Sequence, residues 1–360
     1  MTPDPSLRTA DFDYQLPEDL IAQRPVSRRG ESRLLVVARS EGRKAGRRAP
    51  SDLPAYRLSD ARFSDLVDLI PPDDLLVLNT TRVRHARFLG RRPSGAPAEV
   101  LLIHPAADGA WVALGKPGSA LKPGKRIEIG PGVSIETIEV LEDGNRLVRF
   151  VGTTAEDAIQ RYGRLPLPPY ITRAADESDE DRYQTVFADR EGSVAAPTAG
   201  LHFTPALLDA LRRKGVRIGT LDLEVGPGTF KPVESDDLSG HTMHPEQFDI
   251  PVVLADAIAV TRRAGHHVWA VGTTVVRALE SAAQEGGRVR AGPGETRLFI
   301  TPGFRFQVVD HLITNFHLPR STLLMLVSAF AGTDTIRAAY RHAVAERYQF
   351  YSYGDAMVIV

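Results

Sequence analysis

The chain changes rhythm twice along its length, and that change restricts its fold more than any one motif does. Between Leu75 and Val151 the apolar runs are short and read as strands: Leu75–Leu78, Val83–Leu89, Ala98–Ile103, Trp111–Leu114, Arg126–Ile129, Val133–Val140 and Leu147–Val151. Turn residues separate them at Pro93-Ser94-Gly95, Asp108-Gly109, Pro123-Gly124 and Asp143-Gly144. Short strands at this spacing predict a small barrel or sandwich. From about Thr154 onward helices and strands alternate, as in helix Pro205–Lys214, strand Val216–Leu223, helix Val253–Ala264, strand Val268–Val271 and helices Thr274–Ala283 and Ser321–Ala331. Ahead of the strand-rich stretch come a helix-like segment, Pro17–Ala22, a strand, Arg33–Ala38, a linker rich in glycine, arginine and proline, and a short helix, Phe63–Ile70. The expected fold class is α/β. A large α/β domain would be built from both chain ends, residues 1–60 and 152–360, with a small β-barrel-like domain, residues 61–151, inserted into it.

Composition narrows the chemistry. A length of 360 residues has room for two domains, and 42% hydrophobic with 25% charged residues describes a globular chain. No apolar run nears the ~20 residues of a membrane helix, and the N-terminus lacks a signal-peptide core, so a cytoplasmic protein without membrane contact is expected. The absence of cysteine excludes disulfides, thiolate catalysis, zinc–cysteine sites and iron–sulfur clusters together. Net charge is −1, but Arg24, Arg28, Arg29, Arg33, Arg39, Arg43, Lys44, Arg47 and Arg48 cluster, as do Arg82, Arg84, Arg87, Arg91 and Arg92. Acids gather at Asp176–Asp181 and Glu234–Asp237. Basic runs of this kind can hold phosphates, although a solvated face is their commoner use.

Five segments look chemical. Gly192–Pro205 reads G-S-V-A-A-P-T-A-G-L-H-F-T-P, a small-residue loop presenting His202. Thr204 can cap the following helix, Pro205 suits its first position, Leu207, Leu208 and Leu211 form its apolar stripe, and Gly215 closes it. Small residues let backbone amides approach a ligand; a tight turn with a satisfied histidine is the plainer reading. Val268–Ala278 runs from a buried strand through Gly272 into a helix, with Thr273 and Arg277 one turn apart on one face. A simple cap with Arg277 in a surface pair is the alternative. Asp310–Ser321 places Asn315 and His317 in an irregular stretch before a helix that Ser321 can cap. Alternation there would turn both polar side chains one way and Phe316 the other. His241-Thr-Met-His244-Pro-Glu246 has loose metal-ligand spacing, but capping and hydrogen bonding suit it better and no metal site is expected. Leu221–Pro232 imitates a Rossmann turn yet lacks the third glycine and the following helix, which leaves Glu224, Gly226, Gly228 and Thr229 as pocket-border residues.

Taken in order, these and further strings resemble the S-adenosylmethionine:tRNA ribosyltransferase-isomerase family of queuosine synthesis. The resemblance is carried by D-F-D-Y-Q-L-P-E-D-L-I-A-Q-R-P from Asp11, S-R-L-L-V-V from Ser32 and L-N-T-T-R-V from Leu78. It continues through L-P-L-P-P-Y-I from Leu165, R-Y-Q-T-V-F-A from Arg182, V-G-P-G-T-F-K-P-V, H-T-M-H-P-E, V-G-T-T-V-V-R-A-L-E-S, L-I-T-N-F-H-L-P-R-S-T-L-L-M-L and Y-S-Y-G-D-A-M from Tyr351. It spans nearly the whole chain. Glu224 stands where the family usually has histidine, Thr80 where it has aspartate, and Arg84-His85 where it has isoleucine-proline.

The resemblance implies transfer and isomerisation of the ribosyl group of S-adenosylmethionine onto the aminomethyl of 7-aminomethyl-7-deazaguanine at the tRNA wobble position. Epoxyqueuosine-tRNA forms, and adenine and methionine leave. The sulfonium acidifies the adjoining 5′ carbon, adenine leaves best when protonated, and the attacking amine must be neutral, so the site needs acid–base groups and oriented donors. No cofactor is expected, since S-adenosylmethionine is a substrate, and a cysteine-free chain cannot run its radical chemistry. On this resemblance His202 and His317 are the candidates for proton transfer, with Tyr183 behind them. Thr198, Gly200, Thr273, Thr274, Asn315 and Glu224 are candidates for binding S-adenosylmethionine, and Arg33, Arg82 and Arg277 for phosphate or carboxylate. The expected partner is tRNA carrying 7-aminomethyl-7-deazaguanine, acted on by a monomer. Two other classes stay open: a different S-adenosylmethionine-dependent tRNA-modifying enzyme such as a methyltransferase, and a non-catalytic tRNA-binding relative.

Overall fold

Strand Leu75–Asn79 is buried at every residue, and a run of this kind needs cover on both faces. It lies at the centre of a nine-stranded sheet whose strands run, in spatial order, Gly292–Thr296, Glu246–Ile250, Arg217–Leu223, Leu75–Asn79, Val268–Val271, His311–Asn315, Ala356–Ile359, Arg33–Arg39 and Tyr56–Arg62. The four strands from Arg217–Leu223 to His311–Asn315 are parallel to one another, with Leu75 paired to both Arg217 and Val268. The computed structural model describes residues 7–39, 56–226, 228, 233, 235–238 and 240–360. The glycine-, arginine- and proline-rich linker with Arg43, Lys44, Arg47 and Arg48, together with Thr229 and Glu234, lies outside the described residues.

Side-chain alternation divides the core. Leu75 and Val77 face helices Val252–Arg263 and Thr273–Ser281 through Leu254, Ile258, Val275 and Leu279. Leu76 and Leu78 face the opposite way, onto Leu207, Leu208 and Leu211 of helix Pro205–Lys214. That helix has the ends expected of it: the Thr204 hydroxyl accepts from the Leu207 N–H at 3.1 Å, and Gly215 closes it at φ 96°.

Six strands form a closed barrel in the order Arg146–Val151, Trp111–Lys116, Pro97–Pro105, Arg87–Arg91, Arg126–Gly130, Val133–Val140. Phe88, Val100, Leu102, Ile127, Ile135 and Val148 fill it, a core separate from those flanking the sheet. Two expectations are corrected here. Leu75–Asn79 belongs to the large sheet, so the barrel strands start at Arg87 rather than at Leu75. The single strand expected over Val83–Leu89 is two, because Thr81–Val83 pairs in parallel with Arg190–Ser193 before the chain enters the barrel.

Candidate functional site

Two of the parallel strands end beside each other, and a cleft opens where they stop, the usual ligand position in an open α/β sheet. After Val271 the chain turns at Gly272, whose φ of 95° suits only glycine, and its N–H donates to the Ile313 carbonyl at 2.8 Å. Helix Thr273–Ser281 starts at once, so Thr273 and Thr274 sit in the cleft wall at its N-terminal end. Strand His311–Asn315 supplies the floor, with Asn315 as its last residue rather than part of an irregular stretch. Thr198 comes from a 3-10 turn, Thr198–His202, and Tyr170 and Tyr351 close one side with ring centroids 4.6 Å apart. Among the described residues no charged side chain lines the cleft.

Asn315 is 3% exposed. Its Nδ2 donates to the Tyr351 carbonyl at 2.9 Å and to His202 Nε2 at 3.1 Å. The carbonyl contact fixes the amide orientation, and it leaves Oδ1 buried with no partner among the described residues. A buried acceptor of this kind is complete only when something donates to it. His317 lies on the same cleft. Its N–H donates to the Tyr340 hydroxyl at 2.9 Å, its carbonyl accepts from Tyr14, and Nε2 meets Thr314 Oγ1 at 2.8 Å. Nδ1 has no hydrogen bond among the described residues. Burial lowers the His317 pKa to about 3, so the ring is neutral near pH 7. Phe316 joins Tyr340, Tyr348 and Phe350 in an aromatic cluster.

His202 lies apart from the cleft. It stacks on Phe63 and does not line this cleft; it borders a small separate cavity with Arg29 and Ser32. Since Nε2 accepts from Asn315, the proton sits on Nδ1, which donates to Ser32 Oγ at 2.8 Å. Both ring nitrogens are therefore engaged. Burial above all, and then Arg29, lowers its pKa to about 4 despite the opposing hydrogen bond from Asn315. Tyr183 is wholly buried against Tyr353, away from the cleft, and burial drives its phenol well above the ordinary range. Gly200 serves packing, because a Cβ there would meet Thr185 Cγ2 at 2.8 Å and Phe187 Cζ at 2.9 Å.

The expected arginines separate. Arg33 starts a strand two places across the sheet from Asn315 and does not line the cleft; its guanidinium lies 3.7 Å over the Tyr348 ring and donates to the Glu346 carbonyl. Those partners occupy it. Arg82, in strand Thr81–Val83, donates to the Ala188 carbonyl at 3.0 Å, just ahead of the strand it pairs with. Arg277 is 3% exposed and pairs with Glu246 at 2.7 Å, so it is not a surface residue. It lines a second, larger cavity of about 400 Å³ between the barrel and the sheet. Glu224 is half-buried near Arg84 and Asp222 and lines neither cavity; burial raises its carboxyl pKa. The His241–Glu246 segment lines the larger cavity, and among the described residues no three metal-ligating side chains converge. Tyr170, Tyr351 and Ser32 were not singled out from the sequence, although all three fall within strings that carry the resemblance.

An uncharged cleft at the carboxyl ends of parallel strands, beside a cavity shared with a small barrel, fits a two-substrate α/β enzyme handling a nucleoside. The chain belongs to the family described as queuosine biosynthesis protein, whose model matches residues 9–359. It is 51% identical over 354 residues to a protein of an Azoarcus species named S-adenosylmethionine:tRNA ribosyltransferase-isomerase, covering 98% of each chain. It is 47% identical over 356 residues to a protein of that name from Geobacter metallireducens, covering 98% of this chain and all of that one. A crystal structure of S-adenosylmethionine tRNA ribosyltransferase from Thermotoga maritima matches with a TM-score of 0.55 and 36% identity, over 97% of this chain and 100% of that one.

Proposed function

We propose that this protein transfers and isomerises the ribosyl group of S-adenosylmethionine onto the aminomethyl group of 7-aminomethyl-7-deazaguanine at the wobble position of tRNA, releasing adenine and methionine. Family membership and relatives near half identity over the whole chain support the reaction. The observation that carries the site is the character of the Thr273–Asn315 cleft: among the described residues no lysine or arginine lines it, and two tyrosine rings do. A sulfonium is a cation, which an arginine would repel and an aromatic face attracts. The innermost space is only about 60 Å³, so it grips one part of the donor and leaves the rest in the open mouth.

In this reading Asn315 Oδ1 accepts from the donor, Thr198, Thr273 and Thr274 orient it, and neutral His317 takes or returns a proton through Nδ1. His202 is a positioning residue that holds the Asn315 amide in place. Acid–base groups and oriented dipoles meet the demands of the chemistry, and no metal or redox cofactor is called for. The barrel strands from Arg87 to Val151 act as a domain inserted into the α/β body, and the protein works as a cytoplasmic monomer.

The test is incubation with S-adenosylmethionine and tRNA carrying the deazaguanine precursor, followed by detection of free adenine. Adenine release is expected, slowed ~100-fold or more by His317→Ala. Release of S-adenosylhomocysteine would identify a methyltransferase instead. Binding of tRNA without donor consumption would leave a non-catalytic relative.

A further inference from the structure

Helix Thr273–Ser281 addresses two neighbouring spaces. Its first residues border the donor cleft, and one turn later it presents Arg277 to the larger cavity, with Leu323 in the wall of both. Arg277 Nε donates to the Leu298 carbonyl at 3.1 Å and Nη1 meets Glu246 at 2.7 Å. Nη2 is buried and has no partner among the described residues. A guanidinium N–H withdrawn from water without an acceptor costs stability, so a ligand acceptor at this position is what completes it.

The charge around Nη2 selects the kind of acceptor. Glu246 already neutralises Arg277, and Asp143 adds a second carboxylate to the cavity wall. His104, His241 and His244 are the remaining titratable groups there, and burial and then His244 hold His241 below its ordinary range. Among the described residues no other arginine or lysine lines the space. A phosphate or carboxylate ligand would therefore face two acids and one cation already paired, whereas a neutral carbonyl meets no such repulsion. The volume of about 400 Å³ accommodates a nucleoside.

We propose that this seam cavity receives the acceptor base of the RNA, with Arg277 Nη2 donating to the ring carbonyl of a guanine-type base, next to the donor cleft. The proposal rests on the RNA-modifying function given above. It reassigns Arg277 from phosphate contact to base reading.

Arg277→Lys in the full-length protein keeps the charge and removes the planar fork. Affinity for tRNA carrying 7-aminomethyl-7-deazaguanine should fall roughly tenfold. Affinity for S-adenosylmethionine alone should hold, and the dependence of log affinity on log salt should keep its slope. In Arg277→Gln, which removes the charge, a phosphate contact would lower that slope by about one, whereas a base contact leaves it unchanged. A lower slope, or a comparable loss of S-adenosylmethionine affinity, overturns the proposal. Should Arg277→Lys misfold, Ile103→Trp fills the cavity from the barrel wall, where the native side chain is only partly buried. Unchanged RNA affinity in that variant overturns it equally. Binding is read without turnover, so a wild-type protein that binds this RNA but releases no adenine refutes the reaction and leaves base reading intact.

Discussion

At His202 and His317, burial sets the chemistry before any substrate arrives. Both imidazoles are neutral in the folded protein because desolvation lowers their pKa values, to about 4 and about 3. In the unfolded chain each titrates near the ordinary value of about 6.5. Between these values the unfolded state binds more protons, so stability is fully present above about pH 6.5 and is lost as pH falls. Each histidine should cost roughly 2 kcal/mol between about pH 7 and about pH 5. Urea denaturation at the two pH values measures this, and His202→Gln should remove about half of the drop. An equal drop in the variant would show that His202 does not titrate on unfolding. From the sequence the two histidines could not be told apart: His202 reaches Asn315 and Ser32 across the fold, and residue type carries no record of such partners. For the same reason Arg33 and Arg277 looked alike in sequence, although one is stacked on Tyr348 and the other is buried against Glu246.

Among the elements, those governed by local rules were legible and those governed by distant pairing were not. Helix Pro205–Lys214 could be delimited to the residue because its cap, proline and closing glycine are all local. Leu75–Asn79 was legible as a strand, yet an all-apolar run does not say which sheet it enters, and it enters the large one. The long connection into strand His311–Asn315 shows how a distant contact substitutes for local pattern. Glu280, on helix Thr273–Ser281, accepts from the backbone N–H groups of Gln307, Val308 and Val309 at 2.8, 3.0 and 2.9 Å. This carboxylate ties the helix beside the cleft to the segment that feeds Asn315 into it. Glu280→Ala should destabilise the protein by about 3 kcal/mol, because three donors lose their acceptor at once. Urea midpoints and faster hydrogen exchange at Val308 and Val309 check this. A loss below about 1 kcal/mol would mean that other groups or water satisfy those donors.

For the molecule as a whole, the proposed sites would divide the substrates between two bodies. Every lining residue of the donor cleft comes from outside the barrel, whereas the larger cavity draws Ile103, His104, Leu114, Asp143 and Asn145 from it. The barrel has its own core, in which Ile127 is 1% exposed. Damage confined to that core should therefore reach the RNA and spare the donor. Ile127→Ala removes buried methyl groups and should cost about 3 kcal/mol locally. Hydrogen exchange should accelerate across Arg87–Arg91 and Val133–Val140 while the amides of Leu75–Asn79 keep their protection. Donor affinity should be unchanged and the tRNA KM raised, because the barrel wall of the larger cavity loosens while Thr273, Asn315 and His317 stay where the large sheet holds them. If donor affinity falls in step with RNA affinity, the two bodies unfold as one unit, and the division of substrates between them is not energetic.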